Sequence, residues 1–146
     1  MTIIVDASVA AKWLFAEPDT RQARALLDDA RVGRLTMLAP DLLPVEVASS
    51  LWKRVYRQGL EAEEVWAQYN RFLRVCPALV RISSLTDTAL RLALANKHSV
   101  YDCLYVALAL ETQCSLLTAD ERLFRVFSPA YSQIQLLHDW TPERAG

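Results

Sequence analysis

Glycine, histidine and long hydrophobic runs are scarce in this chain, which has three glycines and two histidines among its 146 residues. So few glycines exclude the collagen-like and flexible-repeat classes. The longest fully apolar run, Cys103–Leu110, is far too short to span a bilayer. Asp6 interrupts the apolar amino terminus before a secretory core forms, so we expect a soluble, cytoplasmic protein with no membrane partner.

The three cysteines are odd in number and show no C-x-x-C spacing, which argues against a disulfide framework and a zinc knuckle. A reducing compartment is therefore the expectation. His98 and His138 are isolated from other candidate ligands in the sequence, so a zinc site is not predicted. We interpret His98 as an ordinary loop residue ahead of the following helix.

Apolar residues make up 53% of the chain and charged residues 23%, a balance typical of one globular domain. We place this domain at residues 1–140 and a polar tail at 141–146. The net charge of -1 gives no bulk positive field that would attract a polyanion. The basic residues are nearly all arginine, which favours forked recognition of phosphate or carboxylate, although genomic base composition produces the same excess.

Short apolar strands alternate with helical patterns along the chain. The predicted strands are Ile3–Val5, Met37–Pro40, Leu79–Ile82, Ser115–Thr118 and Ile134–Leu137. The predicted helices are a segment that follows Asp6 and runs until Pro18, a segment from Asp19 or Thr20 to a stop at Gly33, a segment capped by Asp41 that ends at Gly59, and then Glu61–Val75, Thr86–Asn96 and Val100–Thr112. This alternation predicts an α/β domain with a mainly parallel sheet, whose ligands gather at the carboxyl ends of the strands.

Three aspartates lie where such a site is expected. Asp6 and Asp120 each follow an apolar strand, and each could instead serve only to cap the next helix. Asp102 lies at the start of a helix whose body is apolar, with no arginine nearby in the sequence. A buried carboxylate without a partner is costly, so Asp102 is harder to explain as an ordinary surface residue, although capping remains an alternative.

Glu46 is the fourth acid, one turn into the helix that follows Asp41. Ser50, Lys53 and Arg57 lie on the same helical face, and a solvated face is the simpler interpretation of Glu46 alone. Taken together, the four acids indicate one oxygen-rich cluster. Such a cluster suits Mg²⁺ or Mn²⁺, because packed carboxylates repel one another unless a cation compensates.

Four segments carry a recognisable family pattern. In order along the chain they are Val5–Val9, Pro44–Ala48, Ser99–Ala109 and Leu117–Asp120. They resemble the motifs of PIN-domain ribonucleases, and most of all the VapC-type toxins of toxin-antitoxin pairs. The resemblance covers nearly the whole chain. It implies a three-layer α/β/α sandwich, an endoribonuclease site that uses Mg²⁺ or Mn²⁺, a homodimer, and a cognate antitoxin that blocks the site.

The resemblance also assigns residues. Asp6, Glu46, Asp102 and Asp120 match the acidic quartet that holds the metal, with Glu46 either binding a second ion or orienting the water. Ser8 and Thr118 match the small hydroxyl positions that support the quartet. The chain departs from many relatives at Asn96–Ser99, where they have a longer, glycine-containing turn.

RNA contacts are expected from basic and aromatic side chains. The candidates for the backbone track are Lys12, Lys53, Arg54 and Arg57. Trp13, Trp52 and Trp66 either stack on unpaired bases or pack in the core or a dimer interface.

Two other functions compete with the ribonuclease. A haloacid-dehalogenase-type phosphatase uses an aspartate after the first strand as nucleophile, but it has a second aspartate two residues later, where this chain has Ser8. A catalytically silent PIN domain that serves as a binding scaffold is the other alternative, and the presence of all four acids argues against it.

Overall fold

The computed structural model describes residues 1–142, and at its centre is a sheet of five parallel strands. The strands are β1 (Thr2–Val5), β2 (Thr36–Pro40), β3 (Ala78–Val80), β4 (Ser115–Thr118) and β5 (Ile134–Leu136), in the order β3-β2-β1-β4-β5. This confirms the parallel α/β sheet. The tail predicted for residues 141–146 lies outside the described residues from 143 onward.

The central strands are apolar at successive positions because both faces of the sheet are covered. Ile3, Ile4 and Val5 of β1 are all fully or nearly fully buried. Ile4 lies opposite Leu38 of β2 on one side and Leu116 of β4 on the other. The registers of β1 and β4 therefore bring their carboxyl ends to the same edge of the sheet.

Seven helices form the outer layers within residues 1–142. They are α1 (Ala7–Leu14), α2 (Thr20–Arg31), α3 (Leu43–Gln58), α4 (Ala62–Val75), α5 (Thr86–Asn96), α6 (Val100–Thr112) and α7 (Glu121–Phe127). Strand order runs one way from β1 to β3 and the other way from β3 to β5, so right-handed connections place α1–α4 on one face and α5–α7 on the opposite face. The three-layer sandwich is confirmed.

Helix α6 is the most buried of these helices. Every residue from Cys103 to Ala109 is buried, and the helix packs against α5 and against β1, β2 and β4. Its apolar character on all sides reflects this central position. Even so, no helix among residues 1–142 is long and apolar enough to cross a membrane.

The structure departs from the sequence predictions in several places. Helix α1 ends at Leu14, before the predicted stop at Pro18. Helix α7 is absent from those predictions, because seven residues with two buried positions, Leu123 and Phe127, give too short an apolar period. The prediction that Asp41 caps α3 is wrong. Its carboxylate instead accepts a hydrogen bond from the Ile82 N–H at 3.0 Å, and the backbone of Leu42 begins the helix. The third strand was predicted at Leu79–Ile82, but β3 ends at Val80 and Ile82 starts a 3-10 turn.

Candidate active site

The candidate site lies at the carboxyl edge of β1 and β4, the adjacent strands between which the chain order of the sheet reverses. Asp6 directly follows β1, and Asp120 comes two residues after β4. Val5 and Leu117 are paired across the two strands, so both acids leave the same edge. This is the position at which open parallel sheets bind their ligands.

The Asp6 carboxylate accepts hydrogen bonds on both oxygens. Oδ1 accepts from the Ser8 hydroxyl and from the Val9 N–H at 3.2 Å, and the second of these caps α1. Oδ2 accepts from the Thr118 hydroxyl at the end of β4. From the sequence, Asp6 could be either a helix cap or a member of the acidic cluster. In the structure it both caps α1 and interacts with the charges of Asp102 and Glu46.

Ser8 and Thr118 also hold the loop that carries Asp120. The Ala119 N–H donates to Ser8 Oγ at 2.9 Å, and the Asp120 N–H donates to Thr118 Oγ1 at 3.0 Å. Each hydroxyl therefore donates to Asp6 and accepts from the backbone after β4. These contacts agree with the supporting role that the family resemblance implies for both residues.

Burial sets the protonation behaviour of Asp6, a residue that is only 5% exposed. Burial raises the pKa of Asp6 from 3.8 to about 6, although hydrogen bonds from Ser8, Thr118 and Val9 oppose the shift. The charge of Asp102 makes a smaller contribution to the same upward shift. A carboxylate of this kind is stabilised in its charged form by a nearby cation.

Asp120 is half-buried and caps α7. Its Oδ1 accepts hydrogen bonds from the Arg122 N–H at 2.9 Å and the Leu123 N–H at 3.2 Å. Both bonds use the same carboxylate oxygen. The cap therefore fixes the direction of the Asp120 side chain without engaging Oδ2 in either bond.

Asp102 lies in the first turn of α6, but Ser99 caps that helix by accepting the Tyr101 N–H at 3.1 Å. The carboxylate of Asp102 instead meets an imidazole, with 3.0 Å between His98 Nε2 and Asp102 Oδ2. The His98 side chain is 4% exposed and the Asp102 side chain 35% exposed. His98 lies in the loop between α5 and α6, as predicted, but the expectation that it is isolated is wrong, because its imidazole is the partner of Asp102.

Glu46 is paired with a residue that sequence reasoning missed. The Tyr105 hydroxyl, projecting from buried α6, donates to Glu46 Oε1 at 2.6 Å. Burial raises the pKa of Glu46; the hydrogen bond from Tyr105 opposes this, and the charges of Asp102 and Asp6 add to it. The available signal was a phenol in an otherwise apolar helix, since a buried tyrosine hydroxyl usually finds a partner.

Asp6, Glu46 and Asp102 form one electrostatic cluster. The charge of Asp102 raises the pKa of both other acids, and the charge of Asp6 raises the pKa of Glu46. Within residues 1–142 no three acidic, histidine or cysteine side chains are close enough together to enclose an ion as they are placed. Mg²⁺ commonly takes only one or two carboxylates and keeps several waters. Hard oxygen donors that raise one another's pKa fit such a cation.

Two of the predicted RNA-binding cations are engaged in ion pairs with one acid. Lys12 Nζ lies 3.3 Å from Glu17 Oε2, and Arg54 donates to Glu17 Oε1 at 2.8 Å. Arg54 also lies over the Phe15 ring, 3.7 Å from its centroid. Lys12 is buried: its aliphatic stem is covered by the protein, while its terminal amine contacts Glu17.

The other candidates are exposed on α3. Lys53 and Arg57 are both open to solvent and lie one turn apart. Of the tryptophans, Trp13 belongs to the core, where its indole N–H donates to the Ala23 carbonyl at 2.9 Å. Trp52 and Trp66 are 57% and 66% exposed.

Comparison with known proteins supports the family pattern. The model of the PIN domain family matches residues 3–127. The chain is 34% identical over 131 residues to Ribonuclease VapC3 of Pyrobaculum aerophilum, covering 87% of this chain and 95% of the relative. Among solved structures, PAE2754 of Pyrobaculum aerophilum has a TM-score of 0.62 at 22% identity and 86% coverage of both chains. FitAcB of Neisseria gonorrhoeae has a TM-score of 0.56 at 14% identity and covers 92% of this chain and 95% of its own.

The two solved structures, at 22% and 14% identity, show that this chain shares their fold. The family match and the 34% identical relative also show the family to which the chain belongs. The family match spans the three aspartates Asp6, Asp102 and Asp120 and the helix that carries Glu46. The family match also argues against the haloacid-dehalogenase-type phosphatase, because the family that matches is the PIN domain family. The chain belongs to the PIN-domain family and, within it, to the VapC-type ribonucleases.

Proposed function

We propose that the protein is a metal-dependent endoribonuclease that hydrolyses RNA phosphodiester bonds as the toxin of a type II toxin-antitoxin system. Membership of the PIN-domain family and 34% identity to a protein named as a ribonuclease support the activity. The observation that carries the proposal is the buried Asp6, with its raised pKa, beside Asp102 and Glu46 at the switch point of the sheet.

The acids are the proposed metal ligands. Asp6, Asp102 and Asp120 hold Mg²⁺ or Mn²⁺ directly or through water, and Glu46 binds a second ion or orients the water. When bound, such an ion supplies a water of lowered pKa and neutralises charge that develops on the phosphate. A histidine-rich zinc site is not part of the proposal, because His98 contacts Asp102 rather than facing the other acids as a ligand.

The chain's own residues prepare this site. Ser8 and Thr118 fix the direction of the Asp6 carboxylate by bonding one oxygen each. Tyr105 bonds Oε1 of Glu46, which leaves Oε2 to face the other acids or a water. Fixed carboxylates lose little freedom when they bind a cation, so this preorganisation favours binding.

Helix α3 supplies the proposed track for the RNA backbone. Glu46, Ser50, Lys53 and Arg57 follow one another at helical spacing, so exposed cations lead away from the acidic site over about 16 Å of helix. Phosphate contacts of this kind position the strand without reading its sequence. Lys12 and Arg54 join this track by exchanging Glu17 for phosphate oxygens.

The activity is tested by incubating the purified protein with structured RNA and Mg²⁺ and sequencing the ends of the products. Cleavage should stop in EDTA and should fall by at least about 100-fold in Asp6→Asn, because loss of even an outer partner of a metal site costs about 10–100-fold. Asp87→Asn is the matched control, since Asp87 is an exposed residue of α5 whose side chain is 86% accessible.

Each other outcome contradicts the proposal. Cleavage that survives both EDTA and Asp6→Asn rules out the metal nuclease. Transfer of phosphate from a small ester onto Asp6 supports the phosphatase instead. A wild-type protein that binds RNA without cutting it, in Mg²⁺ and in Mn²⁺, is the silent scaffold.

We propose two protein partners as well: a cognate antitoxin, and a second copy of this chain. The antitoxin follows from the toxin role, and its co-expression should relieve the growth arrest that induced expression of this chain causes. The second copy is supported by an exposed aromatic patch on α3 and α4, formed by Trp52, Tyr56 and Trp66, which are 57%, 72% and 66% exposed. Large exposed aromatic surface is typical of protein interfaces.

A further inference from the structure

The imidazole of His98 lies outside the acidic cluster and contacts it at a single point, Asp102 Oδ2, 3.0 Å from Nε2. We propose that His98 is a positioning residue that sets the orientation of the Asp102 carboxylate and thereby the affinity of the site for a divalent cation. This inference rests on the proposed metal site and adds to it a residue that the acidic quartet does not include.

Two contacts and deep burial hold His98 in place. Its backbone closes the end of α5, where the His98 N–H donates to the Ala93 carbonyl at 3.2 Å. The ring packs edge to face with Phe127, from α7, with 5.4 Å between centroids and 79° between planes. The side chain is 4% exposed. A ring confined in this way cannot follow Asp102 if the carboxylate turns, so it restrains Asp102.

The hydrogen bonding of the ring is one-sided. Nδ1 is buried and has no hydrogen-bond partner among the described residues, while Nε2 faces the carboxylate. An ionised carboxylate only accepts, so Nε2 carries the proton that is donated to Asp102. The ring makes its one satisfied hydrogen bond to this carboxylate, which is the arrangement by which outer residues orient a metal ligand.

The contact divides the roles of the two carboxylate oxygens. Oδ2 of Asp102 is occupied by His98, and Oδ1 is left to turn toward Asp6 and Glu46, whose pKa values the charge of Asp102 raises. Without the imidazole, Asp102, whose side chain is 35% exposed, can rotate toward solvent. That freedom weakens cation binding, because binding must order the side chain again.

The test is Mn²⁺ affinity measured by isothermal titration calorimetry on the full-length protein, without RNA. His98→Leu keeps an apolar body and removes the donor, so the Mn²⁺ Kd should rise about 10–100-fold. In His98→Gln the amide NH₂ takes the place of the Nε2–H, so the Kd should return to within about threefold of wild type. His138→Gln is the matched control: it makes the same change at the other histidine, which bonds Asp19 instead, and should leave the Kd unchanged.

The variants separate positioning from packing and from failure of the site itself. Thermal unfolding of each variant checks that it is folded. Equal weakening of Mn²⁺ binding in His98→Leu and His98→Gln would mean that only the ring shape matters, and unchanged binding in His98→Leu would mean that the contact has no role; either result overturns the inference. If wild type binds no Mn²⁺, the proposed metal site fails first. If wild type binds and Asp102→Asn does not, the site stands whatever His98 does.

Discussion

At the scale of single residues, Asp6 carries its charge in a place that water hardly reaches. Because burial raises its pKa from 3.8 to about 6, the folded protein retains a proton that the unfolded chain releases. The stabilisation from this proton is complete below about pH 4 and disappears as the pH rises through about 6. Above that range, in the absence of a cation, the charged Asp6 destabilises the fold.

Asp6→Asn should therefore be more stable than wild type at neutral pH in EDTA. A shift of about two pKa units corresponds to about 3 kcal/mol, and we expect about 1–3 kcal/mol because the amide replaces one acceptor oxygen. Urea unfolding at about pH 4 and about pH 7.5 measures the effect, with Asp87→Asn as the exposed control. A difference between wild type and Asp6→Asn that is the same at both pH values would contradict the prediction.

Residue types and the family resemblance were enough to select the acids and the hydroxyls of Ser8 and Thr118, but not the partners of Asp102 and Glu46. Asp6 and Asp120 are visible because each follows an apolar strand, and parallel strands must end at a common edge. Tyr105 was missed because its role depends on which helix packs beside Glu46. His98 is only four positions before Asp102, so the local spacing allowed the contact, but spacing alone does not show that the ring turns toward the carboxylate. Nothing in the local sequence around Tyr105 specifies that Glu46, 59 positions earlier, lies opposite its hydroxyl.

At the scale of elements, α5 ends at Asn96, and the segment Asn96–Ser99 lacks the longer, glycine-containing turn that many relatives have there. Lys97 takes the left-handed position that closes the helix, with φ of 50°, where glycine is the usual residue. The strain of a side chain at positive φ is about 1–2 kcal/mol, offset in part by the flexibility that glycine adds to the unfolded chain. His98 follows directly, so this turn also sets the start of the Asp102 segment.

Lys97→Gly should raise the free energy of unfolding by about 0.5–1 kcal/mol. Lys97→Ala removes the same charge but keeps a Cβ, so it should bring no comparable gain. The reverse change is available at Gly59, which closes α3 with φ of 68° and has open space where a Cβ would lie. Gly59→Ala should cost about 1 kcal/mol through backbone strain alone. Urea unfolding of the three variants checks the set, and a gain in Lys97→Ala equal to that in Lys97→Gly would refute it.

Elements that are buried on all sides followed from the sequence, and the more exposed short ones depended on tertiary contacts. The strand pattern at Ile3–Val5 and the apolar run of α6 were strong enough to predict both, because each is buried on all sides. Helix α7 and the end of β3 were missed or misplaced because each is short and has few buried positions. Asp41 illustrates the cause: its carboxylate meets the Ile82 N–H of a distant segment rather than its own helix.

At the scale of the whole molecule, the aromatic patch of Trp52, Tyr56 and Trp66 borders charges of both signs. It lines an apolar groove of about 520 Å³ between α3 and α4, and Trp52 and Tyr56 pack with their ring centroids 4.8 Å apart. The exposed cations Lys53 and Arg57 lie on α3, and the exposed acids Glu63 and Glu64 lie in the first turn of α4. In the proposed dimer, a two-fold axis through the patch would leave Lys53 and Arg57 at the solvent-exposed rim, near the acidic turn of the other copy, which is the self-complementarity that a symmetric dimer needs.

Trp66→Ser should therefore weaken self-association, because a buried aromatic anchor at an interface contributes about 2 kcal/mol or more, equivalent to about 30-fold in the dimer Kd. Sedimentation velocity over a range of protein concentrations gives that Kd for wild type and variant. Leu94→Ser is the matched control, since Leu94 is a large apolar residue of α5 that is 74% exposed but lies outside the patch. A wild-type protein that stays monomeric at every concentration, or a Leu94→Ser variant that dissociates as readily as Trp66→Ser, would exclude the patch as the dimer interface. If the patch is that interface, raising the salt concentration should also weaken the dimer modestly, because the paired charges at its rim are exposed and therefore screened.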